Sequence, residues 1–250
     1  MDYGAFIEDA YGYTKDGVFQ RGGRWLKLIL AVILIGIPLN GWILRIYRGE
    51  RPAPEVDRWG TLCLDGLKLL IIGLIYSIPI IILTVIRYIL FPGLSGGSPF
   101  GDTMVDGGTD VGRGIALFGL LLVIQLVYDI FLALIMPIAA IRFARTGSFS
   151  EAFNFGEILS TIRKIGWLSY ILAVILITLV IAIPVCILAV LIILAGVAAG
   201  HILVAIGALV LVLLIIAPPL VTLQARYMTQ VYDQGEPAAV PSGSQAAPAP

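Results

Sequence analysis

Long, nearly uninterrupted apolar stretches organise this chain. They run over 25–44, 67–91, 114–141, 165–191 and 199–223, and together they take up half of the 250 residues. A helix needs about 20 apolar residues to cross the hydrocarbon core of a bilayer, so each stretch is long enough for one crossing. The pattern predicts an all-α integral membrane helical bundle of about five transmembrane helices, with four to six allowed, in a single multi-span domain over 1–233. The first stretch is the irregular one, interrupted by Gly36, Ile37, Pro38 and Asn40. It reads either as a kinked span or as a re-entrant hairpin with both ends on one face. A third segment within 165–223 is the other way to change the count.

The polar stretches in between are too short to bury a core of their own. Two carry helical periodicity. Residues 150–163 place Phe153, Ile158 and Ile162 against Ser150, Glu151 and Glu157, the pattern of an amphipathic interfacial helix. The N-terminal residues Tyr3, Phe6, Ile7, Ala10 and Tyr13 repeat at similar spacing, although Gly4, Gly12 and Gly17 weaken a helix there. Residues 92–113 hold seven glycines with Asp102, Asp106 and Asp110; aspartates four apart do not make a calcium loop, so a flexible acidic connector is expected. Residues 234–250 are rich in Pro, Ala, Gly, Ser and Gln and read as a disordered tail.

Composition agrees with a membrane location: 59% of residues are apolar, 13% are charged, and the mean hydropathy is +1.01. Sixteen Lys plus Arg balance sixteen Asp plus Glu, which leaves no basic field to hold nucleic acid. Cys63 and Cys186 would lie near opposite bilayer faces, out of reach of a disulfide. The first apolar stretch follows an acidic segment and ends without a small-residue cleavage pattern, so it is expected to be retained.

Cations orient the chain. With five spans, ten fall on one side, led by Arg45, Arg48, Arg51, Arg58, Arg142 and Arg145, which puts the N-terminus outside. Lys15, Arg21, Arg24 and Lys27 object to that placement, and the re-entrant hairpin removes the objection. Prolines precede arginines at three exits, as Pro38 and Arg45, Pro137 and Arg142, Pro219 and Arg226, each with an aromatic neighbour in Tyr47, Phe143 or Tyr227. Snorkelling cations beside interfacial rings produce this pattern. The loops 45–60 and 142–156 share an order of Arg, aromatic, Arg, Gly, acidic residues and aromatic-Gly, as a two-span unit used twice would.

Candidate chemistry is sparse. Asp129 stands in the middle of the third stretch with Gln125 one turn earlier and Tyr128 beside it, an intramembrane polar site that would serve transport or interhelical packing. His201 is the sole histidine and no nucleophile is placed beside it. Metal-ligand spacing and phosphate-loop motifs are lacking, and the small-residue spacing Gly196 to Gly200 falls at a turn. Arg45, Tyr47, Arg48, Arg58 and Trp59 form a headgroup or partner contact, with Glu50, Glu55 and Asp57 competing for the same arginines.

The blocks Arg45-Ile-Tyr-Arg-Gly-Glu50, Ala53-Pro-Glu-Val-Asp-Arg-Trp-Gly60, Asp65-Gly-Leu-Lys68 and Ala152-Phe-Asn-Phe-Gly-Glu-Ile158 resemble the multi-span proteins grouped as domain of unknown function 4013, found largely in methanogenic archaea. The resemblance covers roughly residues 1–235 and implies an integral membrane protein of a cell membrane with no assigned activity. The layout is also loosely similar to membrane domains that accompany some glycerophosphodiester phosphodiesterases, which points to lipids. The expected function is therefore non-enzymatic and cofactor-free: organising membrane lipids, or other membrane proteins, at the cytoplasmic face. The alternative is a small solute or ion transporter built on Asp129 and Gln125.

Overall fold

The computed structural model describes residues 1–91 and 110–236, with the side chains of 110–113 excepted. The expected connector over 92–113 and the tail beyond 236 fall outside the described residues or at their edge. Helices α1 (Tyr3–Thr14), α2 (Gly22–Ile33), α3 (Ile37–Tyr47), α4 (Trp59–Leu90), α5 (Asp110–Thr146), α6 (Phe155–Ile165), α7 (Trp167–Ala198) and α8 (Ile202–Asp233) follow one another without a strand among the described residues. A π-turn, Lys15–Phe19, extends α1, and a 3₁₀ turn, Phe149–Phe153, precedes α6. The helical bundle is as the apolar pattern predicts.

Among the described residues four helices, within α4, α5, α7 and α8, are long and apolar enough to cross a membrane. The stretch 25–44 does not make a fifth. Gly36, at φ +69°, starts α3 in the left-handed region, and Ile35 beside it holds φ +60°. Pro38 then sits in the first turn of α3, where its missing N–H costs nothing. At 12 and 11 residues, α2 and α3 each extend less than about 20 Å, well short of a crossing. Pro38 thus ends one helix and begins another, where Pro79, Pro137, Pro184, Pro218 and Pro219 lie inside continuous helices. The stretch is a helix-turn-helix whose two ends meet, Arg24 of α2 pairing with Glu55 beyond α3.

The chain divides into two compact units. The first holds 1–69 and 138–250. Its core gathers around the fully buried Trp42, with Val18, Leu28, Val56 and Leu62, and the Trp42 indole donates to the Pro54 carbonyl at 3.0 Å. Two glycines let α3 and the start of α4 touch backbone to backbone. A Cβ on Gly66 would stand 1.8 Å from the Ile37 carbonyl oxygen, and one on Gly41 2.0 Å from that of Leu62. Likewise Gly196 of α7 admits Ala205 of α8 across the turn that contains His201.

Helix α1 forms despite Gly4 and Gly12, because tertiary contacts outweigh propensity. Its Phe6 meets the Tyr227 ring edge-on, its Asp9 pairs with Arg226, and the Gln230 amide donates to the Phe6 carbonyl. Helix α6 also forms, and its apolar face is divided: Ile158 and Ile162 are fully buried against the protein, while Phe155 and Leu159 stay exposed. The structured chain continues past 233 as well. Gln234 to Glu236 were expected in the disordered tail, yet Glu236 is held by several side chains, which offsets the entropy of ordering it.

The second unit, Leu70–Pro137, pairs the later part of α4 with the earlier part of α5. Their contacts run antiparallel, from Gly73 against Met136 through Tyr76 with Tyr128 to Phe91 against Phe118.

Candidate functional site

The polar residues of the first unit collect at the ends of its helices, where arginines with buried side chains are held by partly exposed carboxylates. Arg24 pairs with Glu55 and donates to the Gly17 carbonyl at 2.9 Å. Arg45 bonds Asp57 at 2.7 Å and the Glu55 carbonyl at 2.9 Å. Arg142 reaches Glu151 at 2.5 Å and Glu236 at 3.5 Å, Arg145 pairs with Asp233, and Arg226 bonds Asp9 at 2.9 Å. A guanidinium fits such places because its planar fork serves a carboxylate and a carbonyl together.

The two Arg-aromatic-Arg segments are related by more than order. Shifting the numbers by 97 superimposes Arg45 on Arg142, Tyr47 on Ala144 and Arg48 on Arg145. The Arg48 Nε donates to the Ala144 carbonyl at 3.2 Å, and the Arg145 Nε donates to the Tyr47 carbonyl at 3.3 Å. Each second arginine therefore caps the C-terminus of the other segment's helix, where carbonyls lack partners and the helix dipole favours a cation. Gly49 and Gly147 follow at φ +86° and +70°, the left-handed geometry that ends a helix. Each first arginine pairs with a carboxylate of its own loop, Arg45 with Asp57 and Arg142 with Glu151. The repeat seen in the sequence is a reciprocal cap.

These pairings set the local acidity. Hydrogen bonding from Arg24 holds the Glu55 carboxyl below its ordinary value, Arg45 does the same for Asp57, and Arg142 for Glu151. At Glu236 burial pushes upward, but hydrogen bonds from Tyr232, Thr161 and Lys164 outweigh it and the net shift is down. Burial raises the Tyr13 phenol, which stays neutral.

The expected headgroup set is thus dispersed. Arg45 is buried and internally bonded, and Arg48 serves the cap and Asp65 at 2.9 Å. Tyr47 is half-buried and Trp59 packs on the Trp42 core. Arg58 is the most exposed of the five, its side chain 75% exposed, and Arg48 is partly exposed. In the second unit Gln125 accepts from Arg87 at 2.8 Å, and the Tyr128 hydroxyl donates to the Tyr76 carbonyl at 2.9 Å. Asp129 is exposed and bonds no described side chain.

Sequence reasoning missed a cavity of about 160 Å³ lined by Tyr13, Asp16, Arg21, Arg24 and Arg51. Arg21 and Arg24 counted only toward orientation. The available signal was the buried stripe Arg24, Leu28, Ala31 on α2, which forces Arg24 inward. The opposite stripe, Leu26, Leu30 and Ile33, is exposed and continues into Leu34 and Ile35.

The fold defines a class, a helical bundle whose four long apolar helices suggest a membrane protein. The family model described as Protein of unknown function (DUF4013) matches residues 26–194, and the chain belongs to that family. The match takes in both arginine segments and the α2–α3 hairpin, all but its first residues. No curated protein and no solved structure matches the chain.

Proposed function

We propose that this chain is a multi-pass, non-enzymatic component of a cell membrane that organises the lipids of the cytoplasmic leaflet. The observation that carries the reading is the α2–α3 hairpin, which presents apolar side chains outward on top of an arginine-rich base. Ile35 is 82% exposed, Leu26 68% and Ile33 58%. In water such a tip has no stable environment; in a bilayer it wedges into one leaflet. Immersion also demands satisfied amides, and those of Leu34, Gly36 and Ile37 donate to the carbonyls of Leu30, Val32 and Leu34.

Orientation supports the same reading. With the hairpin returning to its own face, the four spans leave fourteen of the sixteen cations on the side of both termini, and only Arg87 and Arg113 on the other. The excess of Lys and Arg marks the cytoplasmic side. The charged layer then lies at the headgroups of the inner leaflet, with the hairpin tip below it in the acyl region.

Spin-labelled phospholipid in proteoliposomes tests this. Wild-type protein restricts a lipid population, and Leu26→Ser with Leu30→Ser and Ile33→Ser reduces that population at unchanged thermal stability, since all three residues are exposed. An identical restricted fraction in the triple variant would overturn the reading.

A further inference from the structure

We propose that the cavity at the base of the hairpin, between Tyr13, Arg21, Arg24 and Arg51, is a binding site for a single phosphate group, that of an anionic lipid headgroup or of a soluble phosphate ester. Only the lipid source rests on the function proposed above.

Charge counting points to an anion. Glu55 serves both Arg21, at 2.6 Å, and Arg24, while Asp9 serves both Arg51, at 3.3 Å, and Arg226, at 2.9 Å. Two carboxylates thus hold the three guanidiniums of the wall from outside it, with Asp9 shared with Arg226, which does not line the cavity; Asp16 is the acidic group on the wall itself, and the Glu50 charge also reaches Tyr13. The cluster around Arg142 differs: there Arg142, Arg145 and Lys164 meet Glu151, Glu236 and Asp233 one for one. The lining itself presents three guanidiniums and one carboxylate to the space, a cationic wall that suits a phosphate.

Donors are in place as well. Arg24 is spent on Glu55 and Gly17, which fixes it as a rigid positive wall. Arg21 and Arg51 each use one terminal nitrogen on a carboxylate and keep more than half of their side chains exposed. Their remaining N–H groups suit the oxygens of a phosphate. Gly17 lets the two walls close on each other at one side, since a Cβ there would stand 2.5 Å from that of Ala53. Depth fits a headgroup, because Arg21 lies just before α2 and Leu26, the first exposed apolar residue of that helix, follows within about 8 Å along its axis.

The test uses the full chain. In nanodiscs of phosphatidylcholine with one fifth phosphatidylglycerol, native mass spectrometry is expected to show one retained anionic lipid. Arg21→Gln with Arg51→Gln is expected to weaken retention at least tenfold, and Glu55→Gln to strengthen it. That opposite sign separates a charge effect from damaged folding. A parallel titration with inorganic phosphate in neutral detergent distinguishes the sources: retained lipid without phosphate binding assigns a headgroup site, and phosphate binding abolished by the same double variant assigns a soluble ester. Neither ligand binding, or binding indifferent to all three substitutions, overturns the proposal. If that happens while the hairpin still restricts spin-labelled lipid, the cavity is rejected and the lipid-organising reading stands.

Discussion

The two units treat polar residues in opposite ways. In the first, arginines that are almost wholly buried, Arg24, Arg45, Arg142 and Arg226, each receive a carboxylate. In the second, Asp129 is exposed at mid-helix without a described partner, although Gln125 and Tyr128 nearby are bonded. Depth explains the difference. Near helix ends a cation finds loop carboxylates and unpaired carbonyls, and breaking such a pair costs far more than the pair contributes. In the middle of a span few polar partners exist, and a carboxylate there is tolerated only if protonated, paired or wet. A polar residue inside an apolar run is therefore a poorer guide to the organised site than cations just outside it.

Overfilling the first unit gives the largest expected effect. Gly66→Leu drives a side chain into the Ile37 carbonyl, beyond the usual overpacking range of about 1–3 kcal/mol. α3 must then leave α4, read as a large drop in melting temperature and proteolysis between 49 and 58. Gly60→Ala, with open space around it, is the control that leaves both unchanged.

Removing a buried guanidinium comes next. Arg142→Met strips Glu151 of its cation and leaves Glu236 to Lys164; because those carboxylates are partly exposed, it should cost about 2–3 kcal/mol rather than the full 3–5 kcal/mol of a sealed pair. A double-mutant cycle with Glu151→Gln, by denaturation in mild detergent, measures the coupling. Additive losses would mean that the pair is incidental.

Acid provides a gentler probe. Glu55, Asp57, Glu151 and Glu236 all have lowered values in the folded state. Their contribution is full above the ordinary carboxylate values and lost as pH falls through the lowered ones. Hydrogen exchange, corrected for intrinsic rates, should therefore quicken in 49–58 and α6 below about pH 4.

The smallest effect is expected at Asp129. Asp129→Asn should shift unfolding by no more than about 0.5 kcal/mol, as for an exposed site without partners. A loss above about 1 kcal/mol would mean that the carboxylate has a partner, and the contrast between the units would weaken.

Much of this was legible in the chain and some was not. α4, α5, α7 and α8 follow directly from runs longer than a bilayer is thick. The break in 25–44 was also visible, because Gly36 and Pro38 are residues that end and restart a helix; parity counting with five spans obscured it. The repeat of 45–60 in 142–156 was readable as order, whereas its meaning, an exchange of caps, depends on two helix ends meeting in space. Likewise the periodicity of α6 showed which residues share a face but not that Ile158 and Ile162 turn to the protein. Ion partners were the least readable: Asp9 and Arg226 lie 217 positions apart, and no local signal joins them.

The return of the hairpin to its own face is the claim on which the orientation, the leaflet and the headgroup cavity all depend. Single cysteines placed by Gly22→Cys, Glu50→Cys, Ser148→Cys and His201→Cys, in a chain carrying Cys63→Ser and Cys186→Ser, test it with a membrane-impermeant thiol reagent on oriented vesicles. The first three positions should react from the cytoplasmic face and the fourth from the opposite one. Reaction at Gly22→Cys from the face opposite to Glu50→Cys would show that 25–44 crosses the membrane and would contradict the account.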